Sequence, residues 1–250
     1  MRVCIYNTPV ELGKAAGADA AEFIRKAIES NGTANIILAT GTSQFETLNQ
    51  LIAEKNIDWS KVVMFHLDEY IGLSATHPAS FVKYLQQRFL AHVPKLKVAY
   101  LINSDADPLK ECRRLGELIG EYPIDLALIG IGENGHLAFN DPPADFETEE
   151  PFIIVELDEA CQKQQMGEGW FSSINDVPLK AISMSIKQVM RSKNIICSVP
   201  DSRKAIAVKN TLEKTVSNLY PASILQEHKN CMIYLDKDSA ALLADTAKKL

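Results

Sequence analysis

His136 and Asp141, five positions apart, follow an apolar run at residues 126–131 that ends in a glycine-rich turn. Such runs are typical of strands buried on both faces of a parallel sheet, and these sheets bind ligands just beyond the carboxyl ends of their strands. Histidine titrates in the neutral range, so an imidazole oriented by a carboxylate can transfer protons at physiological pH. We therefore predict a His136–Asp141 proton relay; a structural histidine is the alternative interpretation.

Two adjacent carboxylates, Asp68 and Glu69, follow a second apolar run at residues 62–65. Adjacent side chains at a strand end point to different sides, so only one of the two can face a given pocket. A carboxylate against a dry pocket wall has a raised pKa and can remove a carbon-bound proton. Either residue is a candidate base. The alternatives are that Asp68 caps a turn and that Glu69 holds a loop in place.

Hydroxyl side chains and a glycine lie between the apolar run of residues 36–39 and an amphipathic stretch at residues 45–52. The residues concerned are Gly41, Thr42 and Ser43. A helix that begins here offers free backbone N–H groups and the positive end of its dipole, which together bind anions. The pattern predicts a phosphate site, with an ordinary helix N-cap as the alternative.

Two cations, Arg203 and Lys204, follow the apolar run of residues 195–199 and the N-cap candidates Asp201 and Ser202. Cations in the first turn of a helix oppose its dipole by a few tenths to ~1 kcal/mol each. A bound anion would compensate for this cost, so either cation is a candidate phosphate ligand. A solvated surface charge is the alternative.

The glycine-rich turn at residues 130–135 also fits the G-x-G-x-x-G pattern of dinucleotide-binding proteins. That fingerprint requires a helix to begin at the glycines, whereas Pro142 and Pro143 favour a loop here. The histidines and carboxylates also lack the spacing of metal sites; they are His66, Asp68, Glu69, His77 and His136. We therefore expect no cofactor and no metal.

Short apolar runs alternate with amphipathic stretches of helical length, such as residues 109–119. The runs lie at residues 3–6, 36–39, 62–67, 98–102, 126–131, 153–155, 181–184, 195–199 and 232–235. This alternation predicts an α/β fold with a mostly parallel sheet covered by helices on both faces. Residues 1–250 suit a single domain. The acidic, Gln-rich segment 144–178 breaks the pattern, which suggests an excursion over the sheet edge or a lid.

The overall composition excludes several classes of function. The formal net charge is −6, and no basic stripe is present, so a nucleic-acid partner is not expected. The apolar runs are only strand-sized, and no secretion signal is evident, so we expect a cytoplasmic protein without a membrane partner. The five cysteines are scattered and predict neither a disulfide framework nor a zinc site.

Four motifs resemble, in the family's order, those of the glucosamine-6-phosphate deaminase/isomerase family. They are TGTS at residues 40–43, FHLDEYIGL at 65–73, GIGENGHLAFNDP at 130–142 and VPDSRKAIAV at 199–208. The tail at residues 221–243 is also similar to the family's closing region. The resemblance implies a Rossmann-like fold and conversion of glucosamine 6-phosphate to fructose 6-phosphate and ammonia without an organic cofactor.

The resemblance also implies a role for each motif residue. His136 would open the sugar ring by protonating the ring oxygen, assisted by Asn134 and Asp141, and Asp68 would remove the proton at C2. The substrate-binding residues would be Gly41, Thr42, Ser43, Glu69 and Lys204. The implied partner is a small sugar phosphate. Because family members range from monomers to hexamers, a homo-oligomer is compatible with the resemblance.

Three departures from the family's pattern leave the substrate open. Deaminases often carry Asp where this chain has Asn134, and Glu where it has Asp141. They also grip the phosphate with an arginine upstream of the strand matching residues 181–184, and no arginine lies between Asn140 and Met190. A galactosamine-6-phosphate deaminase, a 6-phosphogluconolactonase-type hydrolase and a sugar-phosphate sensor are the alternatives. The retained Asp68 disfavours a sensor.

Overall fold

The computed structural model describes residues 1–245 and 247, and its apolar runs form the predicted α/β fold. The strands are β1 (Arg2–Tyr6), β2 (Ala34–Leu38), β3 (Val62–His66), β4 (Asp68–Tyr70), β5 (Val98–Tyr100), β6 (Leu126–Ile129), β7 (Phe152–Glu156), β8 (Lys180–Met184), β9 (Asn194–Val199) and β10 (Cys231–Asp236). Seven of these strands form a parallel sheet in the order β1-β10-β9-β6-β2-β3-β5. The predicted parallel sheet is therefore confirmed.

Seven α-helices connect these strands within the described residues. They are α1 (Pro9–Asn31), α2 (Phe45–Ala53), α3 (Phe81–Leu85), α4 (Pro108–Gly120), α5 (Glu159–Gly167), α6 (Ile186–Met190) and α7 (Ala205–Glu213). Thr8 and Asp107 cap α1 and α4 by accepting from backbone N–H groups, and each helix has a proline at its start. None of the helices in the described chain combines the length and apolar character needed to cross a bilayer.

Both faces of the parallel sheet are covered, as its continuously apolar strands require. Alternate residues of one strand enter different cores: Ile37 packs in the cluster that includes α4 and α7, whereas Ile36 packs with α1 and α2. Successive side chains of a strand point to opposite faces, so both faces of β2 must be apolar. All five residues of β2 are buried. The central strands are therefore fixed in register, and their carboxyl ends give the loops a rigid base.

A second, antiparallel sheet of three strands, in the order β4-β8-β7, lies beyond the end of β3. The sequence predicted strands at residues 153–155 and 181–184 but no strand at Asp68–Tyr70. This short strand exists because it pairs with β8, where Asp68 lies opposite Ser183. Such long-range pairing has no local sequence signature. It is important here because it holds a candidate base rigidly beside the main sheet.

Candidate active site

Six of the nine predicted site residues line one pocket at the carboxyl ends of β2, β3 and β6. They are Gly41, Thr42, Ser43, Asp68, His136 and Lys204. This is the edge at which parallel sheets bind ligands. The other three predicted residues, Asn134, Asp141 and Glu69, are not part of the lining and contact residues behind it.

The imidazole of His136 is oriented by a hydrogen-bonded carboxylate. Nδ1 of His136 lies 2.9 Å from Oδ1 of Asp141, which also accepts from the Asn134 side-chain amide at 2.9 Å. The backbone N–H of Asp158 donates to Oδ2 of Asp141 at 3.0 Å. Burial disfavours the charged form, but the hydrogen bond from His136 and the other donors outweigh it, so the pKa of Asp141 lies below its usual value. Nε2 is therefore the nitrogen available to a ligand.

The loop that carries His136 is held to the second sheet. The Asn140 side chain donates to the carbonyl of Met184 at 2.8 Å, and the backbone N–H of Phe139 donates to Ser183 Oγ at 3.0 Å. No helix begins at the glycines of residues 130–135, and the next regular element is β7. The predicted loop is confirmed. Gly135, with a φ of 89°, forms the tight turn before His136.

Asp68 is the pocket carboxylate with a raised pKa. Its side chain is 6% exposed, and within residues 1–245 and 247 no hydrogen bond to its carboxylate is found. Burial, followed by the charge of Glu69, raises the pKa of Asp68 from its usual 3.8 to about 8. A carboxylate that is poorly solvated and open to the pocket is suited to accept a proton from bound substrate.

Glu69 points away from the pocket, as expected for the neighbour of Asp68 on a strand. Its carboxylate accepts from the Ser80 hydroxyl and the Val82 backbone N–H, both at 2.8 Å, and from the Tyr70 N–H at 2.9 Å. Burial raises the pKa of Glu69 in spite of these donors. Glu69 therefore anchors the start of α3, which agrees with the alternative interpretation that it holds a loop in place, and it is not among the residues that line the pocket.

The residues predicted to bind phosphate lie in two short 3₁₀ turns, and the part of the pocket formed by Thr42, Ser43 and Lys204 is called its anion side below. Thr42 and Ser43 lie in the turn Thr42–Gln44 that precedes α2, and Lys204 ends the turn Ser202–Lys204 that precedes α7. The two cations thus lie just before α7, whereas the sequence placed them in its first turn. Lys204 is buried, which lowers its pKa. Arg203 is half-exposed and pairs with Asp201 instead.

One trio of metal-ligating side chains occurs among the described residues: His136, Asp141 and Cys161 lie with ligand atoms within 4.8 Å of one another. Burial, together with the charges of Asp141 and Asp158, raises the pKa of the Cys161 thiol far above its usual value. Within the trio, His136 and Asp141 are hydrogen-bonded to each other, and the Cys161 thiol lies beside them.

Comparison with known families matches this architecture. The family model described as glucosamine-6-phosphate isomerases/6-phosphogluconolactonase covers residues 7–234. The chain belongs to this family. A glucosamine-6-phosphate deaminase of Lactobacillus delbrueckii subsp. bulgaricus is 35% identical over 246 residues, covering 97% of this chain and all of the relative. One from Oenococcus oeni is 36% identical over 245 residues, covering 98% of this chain and 99% of the relative.

Solved structures of the same superfamily share the fold. A monomeric glucosamine-6-phosphate deaminase superimposes with a TM-score of 0.87 at 33% identity, covering 97% of this chain and all of that chain. The 6-phosphogluconolactonase of Trypanosoma brucei gives a TM-score of 0.80 at 19% identity, covering 97% and 98% of the two chains. The second likeness shows the fold alone. The family's substrates, as its description states, are sugar phosphates.

Glu168 is the pocket residue that the sequence analysis missed in this family member. It follows α5 and places its carboxylate 3.4 Å from the Thr42 hydroxyl and 3.9 Å from Lys204 Nζ. It lies upstream of β8, in the segment where the resemblance implied a phosphate-binding arginine. The absence of arginine from an acidic, Gln-rich segment was the only sequence signal. The segment in which the resemblance implied an arginine therefore contributes a carboxylate to the pocket.

Gly132→Ala is expected to lower kcat of this family member by on the order of 100-fold, because a Cβ at Gly132 would lie 2.2 Å from Nε2 of His136. The methyl group would push the imidazole off Asp141. The φ of Gly132 is not positive, so alanine adds no backbone strain there and acts only through its collision with the imidazole. Ammonia release and the far-UV circular dichroism spectrum would be measured for the variant. Gly120→Ala is the control, since its Cβ meets nothing within 4 Å; equal losses in both variants would refute the argument.

Proposed function

We propose that this chain converts glucosamine 6-phosphate and water to fructose 6-phosphate and ammonia. The observation that carries the proposal is the pairing, in one pocket, of the unbonded Asp68 carboxylate with the Asp141-oriented imidazole of His136. A base that removes a carbon-bound proton and an acid that opens a sugar ring are the two groups that this reaction needs. The deaminase relatives at about 35% identity support the same assignment.

Ring opening uses His136 as the acid. Nε2–H of the imidazolium donates its proton to the ring oxygen as the bond between this oxygen and C1 breaks. The anomeric hydroxyl gives its proton to solvent water, and C1 becomes an aldehyde. Asp141 remains ionised because its pKa is low, so it stabilises the positive imidazolium and fixes the ring with Nδ1 turned inward. Asn134 holds Asp141 through its amide.

Proton abstraction at C2 uses Asp68. The C2–H bond is acidified by the new aldehyde, and its electron pair forms the enolamine as the carboxylate takes the proton. A base with a pKa of about 8 is better matched to a carbon acid than an ordinary aspartate, because proton transfer improves as the pKa of the base rises. Asp68 returns its proton to C1, an amino N–H proton passes to the oxygen at C1, and the imine forms at C2. Water then adds to the imine carbon, and ammonia leaves.

Lys204→Ala is expected to raise KM for glucosamine 6-phosphate by about 10- to 100-fold with a smaller change in kcat, because a charge-assisted contact to the phosphate is lost. Lys204 is buried and lines the same pocket as Thr42. Steady-state kinetics would measure both constants. Arg203→Ala, at the half-exposed neighbour paired with Asp201, is the matched control. An unchanged KM in Lys204→Ala would assign Lys204 a structural role.

The proposed function is tested by ammonia release from purified protein given glucosamine 6-phosphate, galactosamine 6-phosphate or unphosphorylated glucosamine. Hydrolysis of 6-phosphogluconolactone is measured in parallel. Ammonia from glucosamine 6-phosphate, faster than from its epimer, is the expected result. Lactone hydrolysis without ammonia release would move the chain to the hydrolase branch of its family.

A further inference from the structure

Glu168 occupies the anion side of the pocket with a carboxylate that belongs to the protein. Its side chain is 5% exposed, as is that of Lys204, so the two charges face each other away from bulk solvent. The Thr42 hydroxyl donates to Oε2 of Glu168 over a long distance of 3.4 Å, and Lys204 Nζ lies 3.9 Å from Oε1. A phosphate bound by Thr42 and Lys204 would therefore lie against an acidic oxygen.

The contacts of Glu168 with its own segment are tighter than those across the pocket. Gln164 donates to Oε1 at 2.9 Å, and the Trp170 indole donates to Oε2 at 3.2 Å. A ligand bound between these groups would thus face the donors Thr42 and Lys204 on one side. On the other side it would face the Glu168 carboxylate, an acceptor held in place by Gln164 and Trp170.

A phosphate ester satisfies this arrangement in only one of its two ionisation states. The dianion is purely an acceptor, so its oxygens would repel the carboxylate of Glu168. The monoanion retains one P–O–H group, which can donate to that carboxylate while the remaining oxygens accept from Lys204 and Thr42. The second pKa of a phosphate monoester is about 6, so both states exist near neutral pH.

We propose that Glu168 makes this subsite select the singly protonated, monoanionic form of the substrate phosphate. The proposal rests on the proposed function for the nature of the substrate. It assigns Glu168 as a specificity-determining residue that accepts the phosphate proton. It also explains why a phosphate site can contain a carboxylate from the segment that lacks arginine. The carboxylate accepts a hydrogen bond from the proton that the phosphate retains.

Other titratable and charged groups act on Glu168 or share its pocket, and they must be separated from the phosphate in any pH experiment. They are Lys204 and Arg203 from the turn before α7, Glu133 from the His136 loop, Tyr70 from β4, Tyr84 from α3, and Asp68 and His136 in the pocket. Any of these that titrates changes the binding of both esters, and near pH 5, where both are monoanions, the change is similar for the two. A ligand of constant charge therefore provides the correction.

The test compares two unreactive ligands, glucitol 6-phosphate and glucitol 6-sulfate, by titration calorimetry near pH 5 and near pH 8. Neither has an aldehyde, and the sulfate ester is a monoanion without a proton at both pH values. We expect the phosphate ester to bind at least about tenfold more tightly than the sulfate ester near pH 5. This advantage should shrink as the phosphate loses its proton above its pKa of about 6.

Glu168→Gln should remove the discrimination, because the amide can donate to an unprotonated oxygen. The variant should bind the sulfate ester more tightly than the natural chain does. Equal affinity of the natural chain for both esters near pH 5, or selectivity that survives Glu168→Gln, would overturn the proposal. The comparison in the natural chain stands even if the variant fails to fold. Because neither ligand reacts, selective binding without ammonia release would reject the proposed function and leave the monoanion selectivity intact.

Discussion

Asp68→Asn is expected to abolish nearly all ammonia release while making the folded protein more stable. The loss of activity should be on the order of 10³-fold, since a general base contributes about 10²- to 10⁴-fold. Exchange of the C2 proton with solvent should disappear in parallel, while binding of glucitol 6-phosphate should change little. Asparagine has nearly the size and shape of aspartate, so the pocket lining is retained.

The gain in stability follows from the direction of the pKa shift. Asp68 has a folded-state pKa of about 8, above its usual 3.8, so the folded chain retains this proton to higher pH than the unfolded chain. Stability therefore falls as pH rises from about 3.8 to about 8, and the loss is complete above that range. Asparagine cannot ionise. Its advantage should grow through the same window and reach on the order of 6 kcal/mol above it.

Urea unfolding of the two proteins at several pH values would measure this difference. Glu69→Gln is the matched control, because Glu69 is the adjacent carboxylate but is hydrogen-bonded to Ser80 and Val82. The pKa of Glu69 is also raised, but its carboxylate accepts three hydrogen bonds that an amide cannot fully accept. The loss of these bonds should outweigh the removal of the charge, so the variant should lose about 1 to 3 kcal/mol of stability and retain much of its activity. If Asp68→Asn were less stable than the natural chain at every pH, the carboxylate would stabilise the fold and would not be a poorly solvated base.

The main sheet was predictable because its strands are buried on both faces. Residues 36–39 and 126–131 are continuously apolar, and the sheet that they form brings their carboxyl ends together by topology alone. The sequence therefore placed Thr42 and His136 at one edge. The antiparallel β4–β8–β7 sheet was not predictable, because Asp68 pairs with Ser183 across a large sequence separation. That pairing decides that Asp68, rather than Glu69, faces the pocket.

Glu168 could not be placed from the sequence for a different reason. Helix α5 has little amphipathic character, so no periodic pattern indicates which of its faces is buried. Its position depends on polar contacts with distant loops, such as the bond from the Glu133 backbone N–H to the Gln164 side chain at 2.7 Å. The sequence could indicate that an arginine is absent from this segment. It could not indicate that Glu168 lies beside Lys204.

His136→Gln is expected to lower kcat by about 10²- to 10⁴-fold for a reason distinct from the effect of Asp68→Asn. Removing the acid slows the formation of the open-chain aldehyde, so ring opening becomes the rate-limiting step. The isotope effect on ammonia release from substrate deuterated at C2 should therefore fall toward unity. In the residual activity of Asp68→Asn, by contrast, breaking the C2–H bond becomes limiting, and the same isotope effect should rise.

Asp141→Asn keeps the imidazole of His136 but removes the carboxylate that orients it, so it tests the orientation alone. The amide cannot accept the Nδ1 proton through its nitrogen and no longer stabilises the imidazolium, so kcat should fall although the ring remains in place. Its isotope effect should resemble that of His136→Gln, because ring opening is again the slowed step. Opposite isotope effects in the Asp141 and His136 variants would show that the two residues do not act together in ring opening. Agreement between them, with the reverse response at Asp68, would assign the acid and the base to separate steps of one reaction.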